Sequence, residues 1–144
     1  LSRSLTDPTK TDGYFKRGFL MNSANSILRM LEGKVESLTA KYDKLPLECD
    51  GLTRVLSYVL KENGIKHSVY DGSVRYKEEG IPWHFWIELN DGRVVDYRLR
   101  MWIRDRSAPH GVFKPNKYPD LHYENRKRIN LKVTEQTFQI LTMI

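Results

Sequence analysis

The 144 residues carry 24 Lys and Arg against 18 Asp and Glu, a net charge of +6, and 40% of them are hydrophobic. That suits one folded domain with a single core, and the cationic excess attracts nucleic acid, anionic surfaces or acidic proteins. No apolar run approaches the ~20 residues of a membrane span, and a single cysteine excludes an internal disulfide and a Cys-rich zinc ribbon.

Residues 1–17 are polar, carry Asp7-Pro8 and Asp12-Gly13, and are expected as an irregular lead-in to one domain over 18–144. Phe19-Leu20-Met21 stops at Asn22 and Ser23, unlike a signal peptide, so a cytoplasmic location is expected. Leu20, Ala24, Ile27, Leu28, Leu31, Val35 and Leu38 recur at helical spacing and predict a long helix from Phe19 to Tyr42, bent near Gly33. Leu45-Pro46-Leu47 then leads extended chain toward Cys49.

Leu52, Val55, Leu56, Val59 and Leu60 follow the i, i+3, i+4, i+7, i+8 pattern of an amphipathic helix, closed by Asn63-Gly64. Cys49 precedes Leu52 by three residues and Leu56 by seven, which places it on the buried stripe at the first turn. A strand is expected from Ile65 to Tyr76, broken at Asp71-Gly72, followed by a turn at Lys77 to Gly80. Trp83 to Leu89 is a strong strand, Asn90-Asp91-Gly92 a turn, and Arg93 to Leu99 a returning strand. Arg100 to Asn125 lacks a clean period and reads as a long loop or short pieces. Ile129 to Val133 is a short strand, and Thr134 caps a last helix whose inner face holds Phe138 and Leu141.

The central hairpin decides whether His84 and Asp96 can meet. Side chains alternate across a strand, so loop length sets which residues share a face. A three-residue loop at Asn90-Asp91-Gly92 pairs Trp86 with Asp96 and makes His84 and Asp96 diagonal neighbours on one face, with Cβ atoms roughly 7 Å apart. A two-residue Asp91-Gly92 loop puts them on opposite faces. The sequence permits both, and the three-residue register is preferred because it gives His84, Trp86 and Asp96 one environment.

In that register the chain holds a nucleophile, a base and an orienting carboxylate. A thiolate at a helix N-terminus is stabilised by unpaired backbone N–H groups and the helix dipole. A histidine fixed by a carboxylate can take the thiol proton and later return it. Each residue alone has an ordinary role: Cys49 as a small buried hydrophobe, His84 as a core residue, Asp96 paired with Arg98 or Arg100. The case rests on the three together. His67 is expected in the core, and His110 and His122 make no zinc spacing with Cys49, so no metal or other cofactor is expected.

Cys49-Asp50-Gly51-Leu52-Thr53-Arg54-Val55-Leu56, then Gly64-Ile65, His84-Phe85-Trp86-Ile87-Glu88-Leu89 and Val94-Val95-Asp96 resemble the transglutaminase-like branch of the papain-like cysteine protease superfamily. The match covers Cys49 to about Trp102. The resemblance implies an α+β fold, with helices packed on a small antiparallel sheet that supplies the His and then the Asp. It also implies a Cys49, His84, Asp96 triad acting on protein or peptide amides: protease, glutamine deamidase or transglutaminase. Delivery as an effector or phage protein stays open. The Gln that papain-type peptidases carry before the Cys is missing from Tyr42 to Glu48. A second oxyanion donor would then be another backbone N–H or Tyr42.

Trp86, Tyr42, Arg98 and Trp102 are the substrate-binding candidates, Trp86 either as a shield for the imidazole or as a groove wall, while Trp83, Phe85, Ile87 and Leu89 are expected in the core. The cations from Arg98 to Arg128 are interleaved with Trp102, Phe113, Tyr118 and Tyr123. They read first as a solvated face, next as a surface for an acidic protein, then as a nucleic-acid site. A non-catalytic binding module built on this segment is therefore the rival to an enzyme.

Overall fold

In the computed structural model, residues 23, 24, 26, 27, 29, 30 and 33–143 are described; the expected lead-in and the start of the first helix lie outside them. The chain divides into two compact units, Leu1–Lys34 and Val35–Ile144. The described residues of the first unit are helical, and Ile27 and Met30 on it are exposed. All further elements belong to the second unit, in which residues 35–39 are helical and tighten into a 3-10 turn at Ala40–Tyr42.

Helix α1 (Cys49–Glu62) buries the predicted stripe of Leu52, Val55, Leu56, Val59 and Leu60. Removing such a side chain from water contributes about 1.5–3 kcal/mol each. The helix starts at Cys49 without a side-chain cap and ends in a paired C-terminal motif. Gly64 N–H donates to Lys61 O and Ile65 N–H to Leu60 O, with Gly64 at φ +70.

Five antiparallel strands follow: β1 (His67–Tyr76), β2 (Glu79–Leu89), β3 (Val94–Asp96), β4 (Gly111–Phe113) and β5 (Leu121–Ile129), in the order β4-β3-β2-β1-β5. Helix α2 (Glu135–Thr142) closes the chain, with the Thr134 hydroxyl accepting from the Thr137 N–H at 3.1 Å. The architecture is α+β, as expected. Both sheet faces are covered, which explains the near-continuous apolar run of β2. Phe85, Ile87 and Leu89 alternate toward α1, where Leu47, Leu52, Leu56, Val95 and Tyr97 complete one core. His84 and Trp86 alternate to the other face, where Val74, Val94, Leu99, Ile103 and Phe113 form a second.

Four expectations need correction. The turn between β1 and β2 is only Lys77-Glu78, since Tyr76 pairs with Glu79. Strand β3 stops at Asp96 rather than Leu99: the Asp96 carboxylate accepts the Arg98 N–H at 3.0 Å, an Asx turn that takes the chain out of the sheet into a 3-10 turn at Leu99–Met101. The stretch expected as irregular contains β4, which pairs with β3, and most of β5. The last strand is Leu121–Ile129, not Ile129 to Val133. A bulge hid it. Asn125 sits at φ +55 where the β1–β5 register shifts, so the alternation begun by Leu121 and Tyr123 breaks.

Candidate active site

The hairpin has the three-residue loop. Ile87 pairs with Val95 and Glu88 with Val94, and Leu89 N–H donates to Arg93 O at 2.8 Å. Gly92 takes φ +88, the left-handed conformation that the loop needs and that side chains resist. In this register His84 Nε2 and Asp96 Oδ2 lie 2.8 Å apart, with His84 fully buried and Asp96 only 3% exposed.

A buried carboxylate needs donors at every lone pair it keeps. Asp96 has three: His84 Nε2 and the Tyr123 hydroxyl, each 2.8 Å from Oδ2, and the Arg98 N–H on Oδ1. Tyr123 was not a sequence candidate for this role. Its strand carries it there from a region with no legible period. Burial, and then the Asp96 charge, push the Tyr123 hydroxyl well above its usual range, so it stays protonated and donates.

The short β3 brings Cys49 to the pair. The register position across from His84 would be Arg98, but the strand has ended, and the first turn of α1 comes to this place. Cys49, Thr53, Phe85, Asp96 and Arg98 line a pocket of about 10 Å³ there, the volume of about one water. Thr53 is one helical turn beyond Cys49, a spacing visible in the sequence, and Phe85 adjoins His84 on β2.

With Nε2 committed to Asp96, the nitrogen left for the thiol is Nδ1, which is buried and has no hydrogen-bond partner. Burial alone would lower the proton affinity of His84. The Asp96 charge and hydrogen bond outweigh it, Cys49 adds to them, and the imidazole is raised to about 10. Cys49 acts on the ring both by hydrogen bonding and by charge, so the thiol lies beside Nδ1, short of a fully aligned hydrogen bond. The net shift favours the imidazolium form of His84.

The first turn of α1 supplies an anion-stabilising end. Its first main-chain bond runs from Leu52 N–H to Glu48 O, so the N–H groups of Cys49, Asp50 and Gly51 have no partner within the helix.

The remaining candidates fall away from the pocket or are committed elsewhere. Trp86 is fully buried, its ring stacked near those of His84, Tyr70 and Tyr123. It shields the imidazole rather than walling an open groove. Tyr42 packs edge-on against Phe138, which stacks on Tyr58, nine residues past Cys49 and roughly 13 Å along the helix. Tyr42 thus packs into the cluster around Phe138 and makes no ring contact with the triad among the described residues.

Arg98 is buried, with Nε on Leu47 O (2.6 Å), Nη1 on Asp43 Oδ1 and Tyr97 O, and Nη2 on Asp43 O and Leu45 O. It braces the segment that enters Cys49 instead of waiting for substrate. Trp102 is 55% exposed in the turn after Leu99–Met101, and no ring contact ties it to the triad among the described residues. Trp83, expected in the core, is instead 61% exposed, its ring edge-on to Phe85.

The basic segment is dispersed too. Besides Arg98, Arg100 Nε donates to Ala108 O, and Arg126 binds Glu88 and covers the Tyr70 ring. Phe113 is buried, Tyr118 packs on it edge-on, and Tyr123 is bonded to Asp96. His67 is half-buried, bonded to Ser57 and to the Ile65 carbonyl. No group of three or more potential metal ligands occurs among the described residues. Among the described residues no helix is long and apolar enough to cross a membrane.

No protein-family model, no curated protein and no solved structure matches this chain.

Proposed function

We propose that the protein is a cysteine-dependent amide-bond hydrolase or acyltransferase of transglutaminase-like type, acting on a protein or peptide through Cys49, His84 and Asp96. The observation that carries this reading is His84: fully buried, bound to Asp96 by one nitrogen, and left without a partner at the other, on the side open to Cys49. A buried polar atom left unpaired is costly and rare, and catalysis is one reason for a fold to keep it.

The thiolate of Cys49 attacks the amide carbon, and the helix N–H groups stabilise the oxyanion. Collapse of that intermediate breaks the C–N bond as the imidazolium gives its Nδ1 proton to the leaving amine. This leaves a thioester and a neutral imidazole. His84 then removes a proton from water or a second amine, which attacks the thioester and releases the thiolate. Asp96 holds the ring by Nε2 throughout. A carbonyl needs more room than about 10 Å³, so the pocket widens around Phe85 when substrate docks.

The test is the rate of Cys49 alkylation by iodoacetamide, followed by intact mass between pH 5 and pH 9. Wild type reacts at pH 6 faster than free cysteine, and His84→Ala slows it about 100-fold or more at that pH. A rate indifferent to His84, with the fold intact by circular dichroism, overturns the proposal.

A further inference from the structure

A second concave surface lies at the other end of α1, some 20 Å from Cys49 by the length of the helix. It is a groove of about 910 Å³ between the end of α1, the start of β1 and the end of β5. That volume falls in the range of small-molecule sites, against the closed pocket at Cys49.

Its lining has an unusual charge. Lys61, Lys66 and Arg128 contribute, and no Asp or Glu does. Some cations of the fold have a carboxylate partner: Arg54 with Asp50, Arg75 with Glu124, Lys77 with Asp105, Arg98 with Asp43, Arg126 with Glu88. None of the three groove cations is in an ion pair among the described residues. Lys61 is in the last helical turn, where it also offsets the negative end of the helix dipole. Lys66 and Arg128 have no such duty.

The same lining also offers apolar surface. Ile65, Ile129 and Leu131 line it, half-buried. The one imidazole in the wall is fixed. The Ile65 carbonyl, 2.9 Å from His67 Nδ1, can only accept, so Nδ1 carries the proton. His67 Nε2 then accepts from the Ser57 hydroxyl at 2.7 Å. This pair completes its own hydrogen bonds and stiffens the wall.

We propose that this groove binds an organic phosphate of mononucleotide size. Three unneutralised cations match a di- or trianion better than a single carboxylate, and the apolar part of the lining takes an uncharged body. The site does not depend on the triad.

Calorimetric titration of the whole chain with ADP at low salt tests it, with pyrophosphate and adenosine as separate arms. ADP is expected to bind, pyrophosphate to compete with it, and adenosine alone to give no heat. The double variant Lys66→Gln/Arg128→Gln, at two exposed positions, should weaken ADP about tenfold or more while leaving Cys49 alkylation unchanged. The proposal is overturned by absence of ADP binding at millimolar concentrations, or by equal binding in the double variant. Binding of a single-stranded oligonucleotide without ADP would also overturn it, in favour of an extended polyanion.

Discussion

Arg98→Ala is expected to cost about 3–5 kcal/mol, far more than truncating an exposed substrate-binding arginine. The guanidinium makes five hydrogen bonds, four of them to the main-chain carbonyls of Leu47, Tyr97, Asp43 and Leu45. Each such bond contributes about 1 kcal/mol net, and a buried acceptor stripped of its donor costs about 1–3 kcal/mol. The Asp43 carboxylate recovers part of its loss, because it is partly exposed and keeps His110 Nε2 at 2.7 Å. Total stabilities of about 5–15 kcal/mol make this a large fraction. Arg98→Lys retains the charge but has three donors for five acceptors, so it should fall in between. Urea unfolding followed by tryptophan fluorescence measures both variants. A loss under about 1 kcal/mol in Arg98→Ala would refute the bracing role and return Arg98 to the substrate candidates.

Two other perturbations follow from the same neighbourhood. His84 titrates near 6.5 when unfolded and is raised to about 10 in the fold, by Asp96 and then Cys49 against the effect of burial. Its contribution is therefore fully present below about pH 6.5 and lost as pH rises through about 10, of order a few kcal/mol. Melting temperature should fall across that window in wild type and much less in Asp96→Asn; matching slopes would show that the pair does not carry the linkage. Gly72 lies across from His84 in the β1–β2 register, and a Cβ there would come 2.5 Å from Glu124 O and 2.9 Å from the Trp86 ring. Gly72→Ala should cost about 1–3 kcal/mol and slow Cys49 alkylation by shifting the ring that shields His84. Wild-type stability in that variant would count against the packing described.

The sequence carried the site's frame better than its surroundings. Asn90-Asp91-Gly92 left two registers, and a single conformational requirement, the positive φ of Gly92, goes with the one that unites His84 and Asp96. The stripe of α1 was equally legible, because five apolar residues at helical spacing leave little choice of face. Tyr123 was not. Its strand is an edge strand whose outer half, Glu124 to Arg128, is charged and interrupted by a bulge. Edge strands often carry charge, which erases the hydrophobic signal of the element. Arg98 misled for the opposite reason: a cation beside the triad reads as a substrate contact until its carbonyl acceptors, some 50 residues upstream, fold back onto it. Trp83 follows the strand period faithfully and is exposed all the same, since period sets the face of a strand and not what covers it.

The closed pocket bears on how long the protein lasts in an oxidising burst. Cys49 is the only cysteine in the sequence and is 8% exposed. A sulfenic acid formed on it has no second thiol in the chain with which to make a disulfide, and the next oxidation steps are not readily reversed. Many redox-tolerant thiols rely on such a resolving partner. Here Phe85, Thr53 and Arg98, which line the pocket with Cys49, are the protection available, and the widening proposed for substrate would relax it. Loss of reactive thiol to peroxide should therefore track the time the pocket spends open.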